Sequence, residues 1–204
     1  MAANEQIVRA DWDRYQQVRT MLGRAFCPYT LMVYAEPNER RRLPAVTLLY
    51  GAIMDDCFRH GEVYVTPEVA GASCWLPPER STPTFWRQAR SGMLKLPLYF
   101  GLGGFRKLTA YDEIARRLHH DHAPMPHYYL AAIGVDPDRQ GQGIGSALMR
   151  PMLERLDQAG LHCWLDTHLP QNVRLYERHG FEVSEMVEPP GHPVPVWGML
   201  RKPR

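Results

Sequence analysis

The sequence predicts an α/β fold, because an apolar strand, a glycine-rich turn and an amphipathic helix follow one another directly. Residues 128–135 are apolar on both alternating faces, as in a central strand covered by helices on both sides. Three glycines follow within residues 139–146, and apolar side chains then recur every three or four residues from Ile144 to Ala159. The unit therefore directs the carboxyl end of the strand at the glycines.

The glycine turn has the features of an anion-binding site. Glycines let the backbone approach a ligand closely, and the first turn of the next helix has N–H groups without intrahelical partners. With the positive end of the helix dipole, these donors suit a phosphate or pyrophosphate. Two familiar phosphate-binding motifs are excluded. A P-loop needs Lys before its Ser or Thr, but Gly145 precedes Ser146 directly, and the dinucleotide pattern G-x-G-x-x-G fails at its last glycine.

The pattern Gln140-x-x-Gly143-x-Gly145 resembles the coenzyme A pyrophosphate loop of the GNAT superfamily of N-acetyltransferases. The family's next strand and its Asn-x-x-x-Tyr-x-x-x-Gly-Phe helix have counterparts in the same order: Leu165, Asp166, Thr167, Asn172, Tyr176, Gly180 and Phe181. The resemblance is strong from about residue 127 to the end. It implies a mixed, mostly antiparallel sheet of about seven strands with a splayed central parallel pair and helices on both faces.

Within the superfamily, the chain looks most like the puromycin N-acetyltransferase group. The hallmarks shared with that group include Val135-x-Pro137-Asp138, Tyr176-Glu177-Arg178-x-Gly180-Phe181 and Trp197-x-Met199-x-Arg201. Two departures concern the site. The group's Leu-Glu-Thr-Ser is Leu165-Asp166-Thr167-His168 here, which shortens the carboxylate side chain by one methylene, and the lysine often found in the glycine turn is Gln142.

The resemblance implies acetyl-CoA as a co-substrate and no metal. Backbone N–H groups of the turn would bind the pyrophosphate, and the strand edge around Ile133 would pair with the pantetheine arm as a further strand and supply an oxyanion donor. The residues assigned to the coenzyme are Ile133, Val135, Gln140, Gly141, Gln142, Gly143, Ile144, Gly145, Ser146, Asn172 and Tyr176.

Direct transfer to an amine needs a proton donor and a base. Tyr176 is expected to protonate the leaving thiolate, since its spacing of four from Asn172 places both on one helical face. An alkyl amine is largely protonated near neutral pH. Asp166 is the first choice to remove that proton, directly or through a water, or to hold the ammonium group, and a merely solvated aspartate is the alternative. His127 and His168 are the other candidate bases.

The first half of the chain should form two helices and a hairpin. We expect a strand over residues 6–10, a helix from Asp11 to Pro28, a loop over 27–36, a helix over about 37–61, and strands over 62–66 and 69–76. Tyr29, in the predicted loop, is a candidate for stacking on the acceptor, or a tyrosine that bridges two helices. Trp197 is a further candidate acceptor residue.

Residues 84–122 have a helical pattern, interrupted by a glycine-rich link at 101–104 and resumed as a polar helix from Tyr111. Three roles are open for this insert: it would roof the cleft, pack on a second subunit, or cover the core. After the coenzyme-binding helix we expect a strand over 161–167, a helix over 171–179 and strands around 181–188 and 194–200. The proline loop 189–193 between those strands resembles the family's other acceptor wall.

Length and composition suit one soluble domain over residues 1–204, with the helical insert at about 80–125. The chain is 45% apolar and 23% charged, and its net charge of +2 supports neither nucleic-acid binding nor a polybasic membrane patch. The first residues lack a signal-peptide pattern, so we expect a cytoplasmic protein. The four cysteines have no C-x-x-C spacing, which favours reduced thiols.

The expected activity is acetyl-CoA-dependent N-acetylation of a primary amine on a small molecule, with a puromycin-like acceptor and antibiotic resistance as the finer hypothesis. The protein would be a monomer or homodimer with no nucleic-acid or membrane partner. Two alternatives stay open: a catalytically silent acyl-CoA sensor and an enzyme that acetylates a protein N-terminus or lysine. The sensor would need only the glycine turn, and the protein acetyltransferase would need an open groove.

Overall fold

The computed structural model describes residues 6–204, in which seven strands form one mixed sheet. The strands are β1 (Val8–Arg9), β2 (Glu62–Val65), β3 (Gly71–Leu76), β4 (His127–Val135), β5 (His162–Thr167), β6 (Phe181–Val187) and β7 (Val196–Arg201). Their spatial order is β1-β2-β3-β4-β5-β7-β6. Every neighbouring pair is antiparallel except β4 and β5. The predicted mixed sheet with a central parallel pair is confirmed.

Within the described residues, seven α-helices cover this sheet on both faces. They are α1 (Tyr15–Phe26), α2 (Thr30–Ala35), α3 (Glu39–His60), α4 (Phe85–Arg90), α5 (Leu96–His122), α6 (Ile144–Ala159) and α7 (Pro170–Arg178). Helices α1, α3 and α5 share one buried apolar cluster with Trp164 of β5, whereas α6 and α7 share another with Met199 of β7. Among residues 6–204, no helix is both long and apolar enough to cross a membrane. The four cysteines, all within residues 6–204, form no disulfide.

The central parallel pair separates along its length. β4 and β5 are paired only from His127 opposite His162 to Tyr129 opposite Trp164. On its other edge, β4 stays paired with β3 to Val135, and a register shift there leaves Ala131 as an extra residue. Such a bulge bends a strand and increases its twist. The edge of β4 beyond Tyr129 is therefore free of β5, and the two strands open into a cleft.

Two sequence-based expectations are wrong in detail. The predicted loop over 27–36 contains helix α2, whose Leu31, Met32 and Ala35 are buried against the core. The predicted glycine-rich link is shorter than expected: α5 is interrupted only at Gly101, whose φ of 66° and ψ of 169° are non-helical, and its second segment already includes Gly103 and Gly104. A Cβ on Gly104 would lie 2.5 Å from the carbonyl oxygen of Ala35. This glycine therefore permits close packing of α5 on α2, and does not end the helix.

Candidate active site

The glycine turn connects β4 to α6 and leaves an open space above itself. The Gln140 side-chain amide donates a 3.2 Å hydrogen bond to the carbonyl oxygen of Val135, which ties the turn to the strand end. Gly141 and Gly143 have φ angles of 76° and 83°, and a Cβ on either would meet no protein atom within 4 Å. Only glycine adopts this left-handed backbone without strain. The turn thus exposes its backbone to a ligand.

Helix α6 begins at this turn, with Gly143 as its N-cap residue. The N–H groups of its first turn have no intrahelical acceptor, and they point out of the helix N-terminus. The side chains nearby are already engaged, since Ser146 Oγ lies 2.9 Å from His179 Nε2 and Arg139 Nε donates to Gln142 Oε1 at 3.1 Å. The backbone N–H groups are therefore the donors that an anion at this turn would contact.

A cavity of about 970 Å³ lies on the sheet face that carries α1, α3 and α5, at the cleft between β4 and β5. Much of its lining is apolar or aromatic. Helices α4 and α5 contribute Phe85, Phe105, Leu108 and Tyr111 to the wall, so the helical insert roofs the cleft. The predicted coenzyme residue Ile133 also lines it. A cavity of this size and lining is typical of a small-molecule site.

Asp166 supplies a carboxylate to this cavity and is held by a neighbouring strand. The Tyr129 hydroxyl donates a 2.7 Å hydrogen bond to Asp166 Oδ1. Burial raises the pKa of Tyr129 well above its usual value, and the Asp166 charge raises it further. Sequence reasoning missed the carboxylate of Asp112 on α5, which lines the same cavity and pairs with Arg116 at 3.1 Å. Desolvation raises the pKa of Asp112, and repulsion from Asp166 adds to the increase.

Tyr176, Asn172 and Tyr29 meet on the other side of the cavity. Tyr176 is buried on α7, and burial raises its pKa strongly, with smaller contributions from Tyr29 and Asp166. Asn172 donates to Thr167 Oγ1 at 3.4 Å, and its side chain offsets part of the increase that burial causes in the pKa of Tyr29. Tyr29 itself packs edge-on against Phe26. The sequence-predicted tyrosines, asparagine and aspartate are thus brought to one cavity.

The sequence of residues 101–181 matches the model of the acetyltransferase (GNAT) family, and this segment contains β4, the glycine turn, α6, β5 and α7. The observed sheet, with its splayed parallel pair above that turn, is the fold the resemblance implied. The chain has the GNAT fold, and its segment 101–181 matches the GNAT acetyltransferase family. GNAT acetyltransferases use acetyl-CoA.

Individual proteins agree with this assignment over nearly the whole chain. An uncharacterized N-acetyltransferase of Schizosaccharomyces pombe is 25% identical over 96% of this chain and 82% of its own length. A structure described as histone acetyltransferase HPA2 and related acetyltransferase, from Corynebacterium glutamicum, has a TM-score of 0.71 at 19% identity and covers 98% of this chain and 96% of its own. A putative arylalkylamine N-acetyltransferase 7 of Aedes aegypti has a TM-score of 0.67 at 15% identity, covering 97% and 87%.

The two candidate histidine bases have different environments in this GNAT fold. His127 is buried with both ring nitrogens engaged, Nδ1 at 2.6 Å from the Met125 carbonyl oxygen and Nε2 at 2.6 Å from His119 Nε2. His168 lines the cavity beside the Tyr111 ring, and its buried Nδ1 has no hydrogen-bond partner within residues 6–204. Burial lowers the pKa of His168. Of the two, only His168 has a ring nitrogen without a hydrogen-bond partner in the described part of the chain.

Two other predicted acceptor contacts do not lie on the cavity wall. Trp197 packs in the apolar cluster on the α6 and α7 face, on the opposite side of the sheet from the insert. In the proline loop, His192 Nδ1 lies 3.2 Å from the Tyr34 hydroxyl, and the His192 ring packs edge-on against Tyr111. Just after the loop, the Val194 N–H donates to the Tyr111 hydroxyl at 3.0 Å. The loop therefore holds a wall residue, Tyr111, in place from behind.

Proposed function

We propose that this enzyme acetylates the primary amine of a small and largely apolar molecule. The observation that carries the proposal is the meeting of Asp166, Tyr176, Asn172 and Tyr29 at one roofed cavity where β4 and β5 separate. Carboxylate, hydroxyl and amide groups at one opening are the set that amine acetylation needs. The free edge of β4 lines this opening up to Ile133, and the strand continues from there to the glycine turn, whose residues 139–146 are not part of the cavity lining.

The coenzyme would be held by backbone groups along this path. The N–H groups of residues 140–146 suit its pyrophosphate, and the β4 edge beyond Tyr129, which lacks a β5 partner, suits its amide-bearing arm. Asn172 and Tyr176 on α7 border the far end of that path. When bound, acetyl-CoA supplies an acetyl thioester to be attacked by the amine.

Asp166 is proposed to receive the amine. Its Oδ1 accepts the hydrogen bond of Tyr129, whereas Oδ2 has no hydrogen-bond partner within residues 6–204. A carboxylate fixed in this way presents one free oxygen to an ammonium group, either to hold it or to remove its proton. His168, whose buried Nδ1 is also unpartnered, is the second candidate for that proton.

Tyr176 is proposed as the proton donor to the leaving sulfur. Burial raises the pKa of its hydroxyl, so the group keeps its proton at the pH at which an amine begins to be neutral. The raised pKa also makes full proton transfer to sulfur costly in the resting site. The hydroxyl therefore acts first as a hydrogen-bond donor to the charge that develops on sulfur.

The cavity wall favours an acceptor with an apolar or aromatic body. Phe26, Tyr50, Phe105 and Leu108 line the same cavity as Asp166, and we expect the roof of α4 and α5 to exclude a protein substrate. Arylalkylamines are one class of this shape, and the name of the mosquito relative refers to that class. Puromycin, whose amine is next to an aromatic side chain, remains the finer hypothesis from sequence.

The test is a thiol-release assay with acetyl-CoA and a panel of amines. The panel should contain phenylethylamine, puromycin, a polyamine, and a peptide with a free N-terminus. We expect release with an apolar or aromatic amine and little release with the peptide. Coenzyme binding in calorimetry without thiol release from any amine would indicate a sensor and would refute the proposal. Preferred acetylation of the peptide would instead support a protein acetyltransferase.

A further inference from the structure

An exposed apolar surface runs along α4, the 3-10 turn Met93–Lys95 and the first part of α5. Its side chains are far more exposed than apolar residues usually are. The exposed fractions are 62% for Phe85, 72% for Trp86, 61% for Leu94, 81% for Leu98 and 77% for Leu102. We call these five residues the apolar ridge. Large contiguous apolar surfaces on a folded protein mark interaction sites.

The ridge is attached firmly to the core. Helix α4 packs on the 3-10 turn, which packs on α5, and the Phe85 and Trp86 rings contact each other. On the inner side, Leu96 and Phe100 are buried. Arg87 of α4 forms a buried bidentate ion pair with Asp56 of α3, at 2.9 Å and 2.6 Å. The ridge is therefore held in place by packing against the core and by this buried ion pair.

The charged side chains of residues 80–111, the segment that carries the ridge, are all positive. Residues 80–111 contain no Asp or Glu, but they contain the basic residues Arg80, Arg87, Arg90, Lys95, Arg106 and Lys107. Arg87 is used by Asp56, and Lys107 lies over the Tyr34 ring. The other four are exposed, and no carboxylate within residues 6–204 forms a salt bridge with them. The net charge of the whole chain does not show this local excess of positive charge.

We propose that the apolar ridge docks on an anionic lipid surface. Trp, Phe and Leu side chains flanked by Lys and Arg are the composition that settles into the headgroup region of such a membrane. A second copy of the chain fits the charges less well. A two-fold symmetric contact through the ridge would bring like charges of both copies together, which opposes association.

The docked surface lies at the mouth of the acceptor cavity. Phe85 and Leu94 belong to the ridge and also line the cavity wall. A protein resting on lipid by this ridge would therefore have the cavity next to the membrane surface. Docking itself does not depend on the proposed activity, because the vesicle experiment below requires no substrate.

The test is sedimentation of the full chain with vesicles of phosphatidylcholine alone and vesicles that also contain phosphatidylglycerol. We expect binding that requires phosphatidylglycerol and weakens with salt. Each exposed cation removed should weaken binding about fivefold. Arg90→Gln, Lys95→Gln and Arg106→Gln would measure this, and the pair Trp86→Glu and Leu98→Glu should abolish binding.

Met186→Glu is the matched control, because Met186 is an exposed apolar residue on β6, outside the ridge. All these side chains are exposed, so thermal unfolding should show intact folds. Absence of binding, equal binding to both vesicle types, or equal loss with Met186→Glu would each overturn the proposal. A concentration-dependent dimer that Leu98→Glu dissociates would assign the ridge to a second copy.

Discussion

The Tyr129 hydroxyl donates a 2.7 Å hydrogen bond to Asp166 across the point where β4 and β5 cease to be paired. The last paired residues are Tyr129 and Trp164, and Asp166 lies two positions further along β5. Where the backbone pairing of β4 and β5 ends, this side-chain hydrogen bond therefore connects the two strands. It holds the carboxylate that the sequence predicts as the base, on a residue that lines the cavity.

Replacing Tyr129 by phenylalanine should impair catalysis without affecting coenzyme binding. The substitution removes the donor to Asp166 and retains the ring. Hydrogen bonds to charged groups contribute about 1.5–3 kcal/mol, so kcat/KM for the amine should fall about 10- to 100-fold. Steady-state kinetics and calorimetry with coenzyme A measure the two effects. Tyr128→Phe is the control, since the Tyr128 hydroxyl is near Arg155 on the other face. Equal losses in both variants would contradict a specific role.

Tyr176→Phe should lower turnover and leave the affinity for coenzyme A nearly unchanged. A positioned proton donor contributes about 10²- to 10⁴-fold to a rate. Tyr64→Phe is a suitable control, because the Tyr64 hydroxyl bonds to Glu62 on β2, away from the cavity. A rate for Tyr176→Phe equal to that of the wild type would remove this hydroxyl from the mechanism.

Substituting the glycines at the two ends of α6 distinguishes an effect on coenzyme binding from an effect of backbone strain. Gly143 and Gly160 both have left-handed φ angles, and a Cβ on either would contact no protein atom within 4 Å. Alanine at either position should cost about 1–2 kcal/mol of unfolding free energy. Only Gly143→Ala should also weaken coenzyme A binding, about tenfold or more, because it disturbs the N–H donors. Equal affinities for coenzyme A in both variants would place the coenzyme elsewhere.

The part of the fold that the sequence predicts well is the part with a local cause. The spacing of the glycines and the apolar period after Ile144 predict β4, the turn and α6 within a few residues. Gly104 shows the limit of such reasoning. It was interpreted as part of a break, yet its small size serves the approach of Ala35, which is distant in sequence.

The candidate site likewise contains residues that a local pattern predicts and contacts that no local pattern predicts. Asn172 and Tyr176 are found by their spacing on one helix, and both line the cavity. The bond from Tyr129 to Asp166 depends on where two strands separate, and Asp112 reaches the cavity only because α5 roofs it. No local pattern encodes either relationship. Trp197 was selected from a motif, but the alternation of β7 places it on the other face.

The buried ion pair between Arg87 and Asp56 should fasten the roof of the cavity. Arg87→Leu would leave Asp56 buried without its partner, which typically costs about 3–5 kcal/mol. The double variant Arg87→Leu and Asp56→Leu should recover much of that loss. Urea unfolding gives the energies, and limited proteolysis near residues 79–95 reports on the roof. A loss in the double variant as large as in Arg87→Leu alone would show that the pair is not coupled.

Acid should destabilise the protein partly through His119. Burial, together with repulsion from His127, lowers the pKa of His119 to about 4, whereas an unfolded histidine titrates near 6.5. The unfolded state therefore binds more protons in this window, so the free energy of unfolding falls as the pH decreases from about 6.5 to about 4.

The variant His119→Phe keeps an aromatic ring beside Trp164 but cannot bind a proton. Its unfolding free energy should depend less on pH in this window than that of the wild type. His120→Gln, at an exposed neighbouring position, should retain the wild-type dependence. Urea unfolding at several pH values measures this, and parallel pH curves for His119→Phe and the wild type would refute the assignment.

The most direct measurement is thiol release by the wild type and Asp166→Asn, side by side, with saturating acetyl-CoA and a varied amine. Asparagine retains the size of the side chain but cannot accept the proton or pair with an ammonium group. We predict a fall of about 100-fold or more in kcat/KM for the amine with an unchanged dissociation constant for coenzyme A. Equal kcat/KM values for the two proteins would contradict the assignment of the cavity as the site of amine acetylation.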